Sequence, residues 1–179
     1  LTAPEVLERA APSVIRLEAT LPDGPAIGIG FAVSGTRIAT HLDLIEGASR
    51  VTGRLADGSR IQVRRVVALD EARRLIVLDT EGARLRPLRI GADETLVPGA
   101  TLYALGDPQG QRTQVLEGSF RGRRRSAKQP LELLETSAKL TPGWTGAPLL
   151  DERGRVVGVA TQTLASQAFG LGIPSRALQ

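Results

Sequence analysis

Short apolar runs separated by turn-forming residues constrain the fold of this chain more than any other feature. Runs rich in Val, Ile and Leu recur throughout, and 20 Gly and 11 Pro are spread between them. Runs of this kind are typical of β-strands and leave little room for long helices. Because 41% of the 179 residues are apolar, the chain can bury a sizeable core. The sequence predicts an all-β protein built as a sandwich or as barrels.

The predicted strands fall into two groups. The first group comprises residues 14–19, 26–33, 37–40, 50–55, 60–69 and 75–79. The second group comprises residues 101–106, 113–120, 131–136, 148–150, 155–163 and 168–173. Between 81 and 98 the pattern loosens into Arg, Pro, Gly and acidic residues, which is typical of a connection. We therefore expect a first half at 1–90, with a short helix that ends before Pro12, and a second half at 91–179.

Composition excludes several kinds of site. The chain has no Cys, which excludes disulfides and thiolate metal centres. Its net charge of +4 is too small to require an anionic partner. With a single His we predict no metal and no cofactor, although His41 and Asp43 leave open a weak metal site shared with another subunit.

Residues 135–149 read Glu-Thr-Ser-Ala-Lys-Leu-Thr-Pro-Gly-Trp-Thr-Gly-Ala-Pro-Leu. This run resembles the nucleophile loop of the HtrA family of trypsin-like serine proteases, Gln-Thr-Asp-Ala-Ala-Ile-Asn-Pro-Gly-Asn-Ser-Gly-Gly-Pro-Leu, and aligns with it without a gap. Residues 28–31, 106–110 and 170–175 resemble three further family segments in the family's order: Gly-Ser-Gly-Phe, Gly-Asn-Pro-Phe-Gly and Gly-Phe-Ala-Ile-Pro-Ser. The resemblance implies two six-stranded Greek-key β-barrels of the trypsin-like type.

All three positions of the catalytic triad implied by this resemblance have changed. The family's Thr-Asn-Asn-His-Val-Val-x-Gly-Ala aligns with residues 40–48, so Asp43 replaces the His. The family's Asp-Leu-Ala-Val-Leu aligns with residues 74–78, so Arg74 replaces the Asp, and Thr145 replaces the Ser. A hydroxyl nucleophile needs an imidazole to take its proton and a carboxylate to orient that imidazole. The resemblance therefore implies a pseudoprotease with no functional catalytic residue.

The replacements lead to expectations about the local structure. We expect Asp43 and Arg74 to form a buried ion pair in place of the His-Asp couple. The oxyanion loop, Gly143, Trp144 and Thr145, would keep its N–H groups convergent. The Trp144 ring would either plug the cleft or offer a hydrophobic contact to a partner. We favour a Thr145 hydroxyl that satisfies a backbone group in a turn.

His41 is the only imidazole in the chain and lies two positions before the expected catalytic His. A register slip would make it a rescue base. The match has no gap on either side, so we favour a partly exposed loop histidine instead.

Five positive charges lie within eight residues: Arg121, Arg123, Arg124, Arg125 and Lys128. As a basic hairpin loop, residues 121–128 would suit an anionic surface. No aromatic residues interleave them, so we expect no nucleic-acid binding. The resembled family has a regulatory loop beside the active site here, which favours a solvated loop.

The leading hypothesis is an inactive trypsin-like scaffold that binds a peptide or protein partner. Two alternatives stay open: an endopeptidase using Thr145 with a rearranged or partner-supplied base, and anionic-surface binding through 121–128. The family acts mostly in the periplasm or in organelles, which implies export, with a membrane anchor in the full-length chain left open. Family trimers use aromatic residues near the N terminus, and residues 1–12 contain none, so we expect a monomer.

Overall fold

The computed structural model describes residues 1–81, 84–125, 132–161 and 170–178, and within them the strands close into two antiparallel barrels. The first barrel contains β1 (Val14–Leu21), β2 (Gly24–Ala32), β3 (Arg37–His41), β4 (Arg50–Leu55), β5 (Arg60–Asp70) and β6 (Leu75–Thr80). The second contains β7 (Thr101–Gly106), β8 (Gln114–Arg124), β9 (Leu133–Thr136), β10 (Pro148–Leu150), β11 (Val156–Thr161) and β12 (Gly170–Pro174).

Both barrels have the same topology. The strand order is β1-β2-β3-β6-β5-β4 in the first and β7-β8-β9-β12-β11-β10 in the second. The predicted all-β class with two six-stranded barrels is confirmed. A turn at Asp57 and Gly58 joins β4 to β5, where Gly58 has a φ of +89° and the Ser59 N–H donates to the Asp57 carboxylate.

The helix α1 (Ala3–Ala10) begins after Thr2, whose N–H and hydroxyl both donate to the Glu5 carboxylate, at 3.1 and 2.9 Å. Its buried residues Val6 and Ala10 join a core that includes the second barrel. The helix packs against β7 and β8. Although it precedes the first barrel in sequence, it therefore lies on the second. No helix in the described ranges is long and apolar enough to span a bilayer.

The connection between the barrels changes its hydrogen-bonding partner within two residues. The Leu88 N–H donates to the Ala32 carbonyl of the first barrel at 2.9 Å. The Arg89 carbonyl then accepts from the Val156 N–H of the second barrel at 2.8 Å. The chain thus leaves the first barrel between Leu88 and Arg89, beside the boundary expected near residue 90.

The barrels meet along an apolar core that holds the nucleophile loop in place. Ile29 and Phe31 of β2 pack in the same buried cluster as Leu105 and Trp144 of the second half. The backbone approaches most closely at Gly146, which has a φ of +89°, and a Cβ there would lie 2.0 Å from the Ile29 carbonyl oxygen. Only glycine fits this position.

Candidate active-site region

Asp43 and Arg74 lie together at one end of the first barrel. Asp43 lies in α2 (Leu42–Ile45), a single turn that follows β3 directly. Arg74 precedes β6 and has a φ of +59°, the sole positive φ of a non-glycine residue in the described ranges. Its carbonyl accepts from the Leu42 N–H at 2.8 Å, which ties the two segments together. The local backbone therefore aims Arg74 at α2.

The Arg74 guanidinium holds two carboxylates. Its Nε donates to Asp43 Oδ1 at 2.9 Å, and its Nη2 donates both to Asp43 and to Glu46. The Arg74 and Asp43 side chains are 28% and 38% exposed. The expected pair is present, but the expectation that it is buried was wrong, because α2 lies at the barrel surface. Sequence reasoning also missed Glu46, although its spacing of three residues from Asp43 in a helical turn places it on the same face.

Thr145 follows a 3₁₀ turn, Pro142–Trp144. Its hydroxyl donates to the Pro142 carbonyl at 2.8 Å, and its N–H donates to the same carbonyl at 3.1 Å. Thr145 is only 3% exposed. Thr145 therefore satisfies a backbone group in a turn, as the sequence favoured. Its hydroxyl proton is accepted by a backbone carbonyl and not by a catalytic base.

The oxyanion loop differs from the expectation that its N–H groups converge on an open site. The Trp144 N–H donates to the Thr141 carbonyl at 2.9 Å, and the Thr145 N–H is already bound to Pro142. These i→i+3 bonds close the turn on itself. An oxyanion hole needs N–H groups that point at the substrate oxygen. Since the Thr145 N–H is used within the turn, that donor is absent from the site.

The Trp144 ring packs inside the domain. It is 6% exposed and belongs to the apolar core between the barrels. Its Cε3 lies 3.2 Å from where a Cβ of Gly106 would be, so the glycine makes room for the ring. Burying a large indole is favourable wherever the core can hold it, so most of the ring is used inside the domain. The two roles expected for it, as a plug of the cleft or as a contact for a partner, stay predictions.

His41 is buried, with 1% of its surface exposed, and the expectation of a partly exposed loop histidine was wrong. Its Nδ1 accepts from the Asp43 N–H at 3.0 Å, so the neutral ring carries its proton on Nε2 and donates to Thr161 Oγ1, 2.7 Å away. Burial lowers the pKa of His41, and the nearby Arg74 charge lowers it further against the opposing effect of Asp43. The ring links β3 to β11, across the two barrels.

No hydrogen bond joins His41 to Thr145 in the described part of the chain. Both imidazole nitrogens have other partners, and so does the Thr145 hydroxyl. His41 therefore does not occupy the position of a general base toward Thr145 in this structure.

Of the basic run 121–128, residues 121–124 are strand rather than loop. β8 extends to Arg124, so Arg121, Arg123 and Arg124 lie on a paired strand, and the expected free loop was wrong for them. Arg125 lies 3.8 Å from the Glu132 carboxylate. Lys128 falls outside the described residues.

Arg123 is held by Asp93, which sequence reasoning missed. The Asp93 side chain is fully buried, and its Oδ2 lies 3.0 Å from Arg123 Nη1 and 2.7 Å from Arg176 Nη2. The Ser175 hydroxyl donates to its other oxygen at 3.2 Å. We call Asp93, Arg123, Ser175 and Arg176 the Asp93 cluster. It joins the inter-barrel connection to β8 and to the end of the chain.

Residues 28–159 match the trypsin-like peptidase domain family. The chain belongs to this family. It is 31% identical over 166 residues to the chloroplastic protease Do-like 1 of Arabidopsis thaliana, which covers 86% of this chain and 37% of that protein. It is 26% identical over 173 residues to a protein of Ectopseudomonas mendocina named as a probable periplasmic serine endoprotease, DegP-like, covering 94% of this chain and 36% of that one.

Solved structures agree with these relatives. The crystal structure of Deg5 superposes with a TM-score of 0.83 at 28% identity, over 98% of this chain and 89% of that one. The fold is therefore the HtrA-like form of the trypsin double barrel. The chain spans a little over a third of the length of these two curated relatives, 37% and 36%.

Proposed function

We propose that this domain is a catalytically inactive member of its family that binds a peptide or protein partner without cutting it. The observation that carries the proposal is the Arg74 guanidinium on Asp43. By alignment with the family pattern, Asp43 stands where an imidazole would remove the proton of the nucleophile. A carboxylate is a weaker base than an imidazole, and the Arg74 guanidinium occupies the Asp43 oxygen with two donors.

The Thr145 loop supports the same proposal, because the Thr145 hydroxyl and N–H are both bound within the loop. A nucleophile must reach the substrate carbonyl, and Thr145 is buried with its hydroxyl donated to Pro142. Acyl transfer also needs donors for the developing oxyanion. The Thr145 N–H would have to leave Pro142 before it could serve as one.

The rival proteolytic function requires several rearrangements at once. His41 would have to give up its contacts with Thr161 and with the Asp43 N–H, and Thr145 would have to turn away from Pro142. Burial already favours the neutral His41 ring, which lowers its pKa and disfavours the imidazolium that forms when a base takes a proton. These requirements favour the inactive domain.

A domain that has the fold of a peptidase without its chemistry would use that fold for recognition. We extend the proposal to an exported location, because the relatives include a protein named as periplasmic. The peptide-binding role rests on fold analogy together with this location.

Fluorescein-labelled casein tests binding and cleavage in one sample. We expect the fluorescence anisotropy to rise and saturate as the domain is added, while the casein stays intact on a gel after prolonged incubation. The matched variant T145A should give the same binding curve, because the proposal assigns no chemistry to that hydroxyl. Casein fragments that appear with the wild-type domain and not with T145A would contradict inactivity. An anisotropy that never rises would contradict the binding role.

A further inference from the structure

A second polar site lies on the outside of the first barrel, away from the triad positions. It is a depression of about 380 Å³ bordered by β1, β4 and β5. Four arginines line it, Arg16, Arg50, Arg54 and Arg60, and we call it the arginine groove. Glu18 is the sole carboxylate among the lining residues. The groove therefore concentrates positive charge in a concave surface.

Strand register places three of these arginines in one row. Arg16 of β1 is directly opposite Arg54 of β4, and Arg54 is directly opposite Arg60 of β5. Residues opposite one another in antiparallel strands project from the same face with Cβ atoms about 5 Å apart, and like charges in such pairs are destabilising. A row of three guanidinium side chains therefore costs stability unless an anion lies among them.

The second barrel fixes two of the four arginines. Arg16 Nε donates to the Asp107 carbonyl at 3.2 Å, and Arg54 Nη2 donates to the Gly110 carbonyl at 2.6 Å. Asp107 Oδ2 lies 3.5 Å from Arg54, at the margin of a hydrogen bond. The carbonyl acceptors orient both guanidinium groups and leave the Arg16 charge in place, whereas Asp107 offsets part of the Arg54 charge. The remaining N–H donors of both side chains are thus preorganised for a ligand.

The other two arginines are exposed. Arg50 and Arg60 make no ion pair or side-chain hydrogen bond within residues 1–81, 84–125, 132–161 and 170–178. Arg50 lies opposite Thr20, at the far end of the groove from the turn of the second barrel. Arg50 and Arg60 can therefore bind an anion that Arg16 and Arg54 have oriented.

We propose that the arginine groove binds a soluble small molecule that bears phosphate groups. A planar carboxylate is saturated by one or two guanidinium forks, whereas the terminal oxygens of a tetrahedral phosphate accept from donors placed all round it. The groove offers such donors from three strands, with the Thr20 and Thr52 hydroxyls and the Gln62 amide beside the arginines. Its volume lies in the range of small-molecule sites, and its concave form suits a discrete ligand better than a flat bilayer.

This inference does not depend on the proposed function. The groove shares no residue with the triad positions or the Thr145 loop. Proteolytic activity of the domain would therefore leave the groove proposal standing, and a groove without a ligand would leave the proposed function standing.

Titration calorimetry with inorganic pyrophosphate, at constant ionic strength, tests the groove. We expect saturable binding of pyrophosphate to the wild-type domain. The affinity should fall at least about tenfold in the double variant R50Q/R60Q, because a charge-assisted hydrogen bond is stronger than a neutral one and the variant loses such bonds from two side chains. Both arginines are exposed, so the double variant should remain folded. The matched control R37Q removes an exposed arginine from β3, outside the groove, and should bind as the wild type does. An absence of saturable binding, or an equal loss in R37Q, would overturn the proposal.

A second arm identifies the source of the phosphate. Vesicles of phosphatidylcholine with and without phosphatidylglycerol are sedimented with the wild-type domain and with R50Q/R60Q. We expect neither protein to sediment with either vesicle. Sedimentation of the wild type alone, with no pyrophosphate binding in solution, would overturn a soluble ligand and assign the groove to a lipid headgroup.

Discussion

Two aspartate-arginine centres in this domain have opposite surroundings. Asp43 and Arg74 pair at the surface of the first barrel, with 38% and 28% of their side chains exposed. Asp93 has no exposed side-chain surface and is held by two arginines of the second barrel. The same chemical pair therefore serves two purposes. The exposed pair stands at the two positions that align with the family's catalytic His and Asp, and the buried one holds the fold together.

The two centres contribute differently to the free energy of unfolding because only Asp93 is buried. Exposed ion pairs contribute little because water and salt screen them. Removing one partner of a buried pair leaves an uncompensated charge and costs several kcal/mol. The two centres thus predict a graded series of effects, from the Asp93 cluster down to Asp43.

The largest effect is expected for D93N. The substitution keeps the shape of the side chain but leaves Arg123 without its carboxylate and Arg176 with the exposed Glu94 alone, 3.6 Å away. Because those guanidinium groups are partly exposed, we expect a loss of about 3 kcal/mol in the free energy of unfolding, near the low end for buried pairs. Urea denaturation measures it. E94Q removes the exposed carboxylate that lies 3.6 Å from Arg176, and it should change stability by less than about 0.5 kcal/mol because exposed ion pairs are screened. Equal losses of stability in D93N and E94Q would contradict the claim that a buried carboxylate contributes more than an exposed one.

The Asp93 cluster also predicts acid sensitivity. Burial of Asp93 raises its pKa, but the hydrogen bonds from Arg176 and Arg123 outweigh burial and hold the pKa below its usual value. A carboxyl with a lowered pKa in the folded state stabilises the fold fully above its unfolded pKa, near ~3.9, and loses that contribution as the pH falls further. The stability difference between wild type and D93N should therefore be constant from neutral pH to about pH 4 and shrink below it. A difference that persists undiminished at lower pH would refute this assignment.

An intermediate effect is expected where the exposed centre meets the core. T161V removes the acceptor of the buried His41 Nε2 proton. An unpaired buried donor costs about 1–3 kcal/mol, so we expect a loss of about 1.5 kcal/mol in urea denaturation. The control T101V changes a half-buried strand threonine for which no side-chain hydrogen bond is found in the described residues. A loss in T101V as large as that in T161V would show that the hydrogen bond is not responsible.

The smallest effect is expected for D43N. Arg74 keeps Glu46 as a partner, and the pair is partly exposed, so the free energy of unfolding should fall by less than about 1 kcal/mol. Urea denaturation beside D93N measures the contrast. A loss as large as that of D93N would place the two centres in the same class.

The sequence predicted the fold well because strand patterns are local. Apolar runs and turns placed the strands, the resemblance to the HtrA family decided for two barrels over a sandwich, and the ungapped loop at 135–149 placed Thr145. It also predicted the contact between Asp43 and Arg74, because the resemblance aligned both with residues that meet in the family. The exposure of the Asp43–Arg74 pair could not be predicted from the sequence, because it depends on how α2 packs on the barrel.

Features made by contacts between distant segments were not predictable from linear pattern. Asp93 lies in a polar connection that gives no sign of a buried charge, and Arg123 belonged to a run that looked like a free loop. The arginine groove is spread over three strands, so its charges become neighbours only through register. His41 looked exposed because nothing local marks its contact with Thr161, 120 residues away.

Reaction with a fluorophosphonate tests the central claim, that Thr145 is not an activated nucleophile, most directly. Such probes phosphonylate a serine or threonine hydroxyl that a base activates, with fluoride as the leaving group. Intact-mass spectrometry of the wild-type domain should show no adduct under conditions that label trypsin completely. A single adduct on the wild type that is absent from T145A would contradict the account.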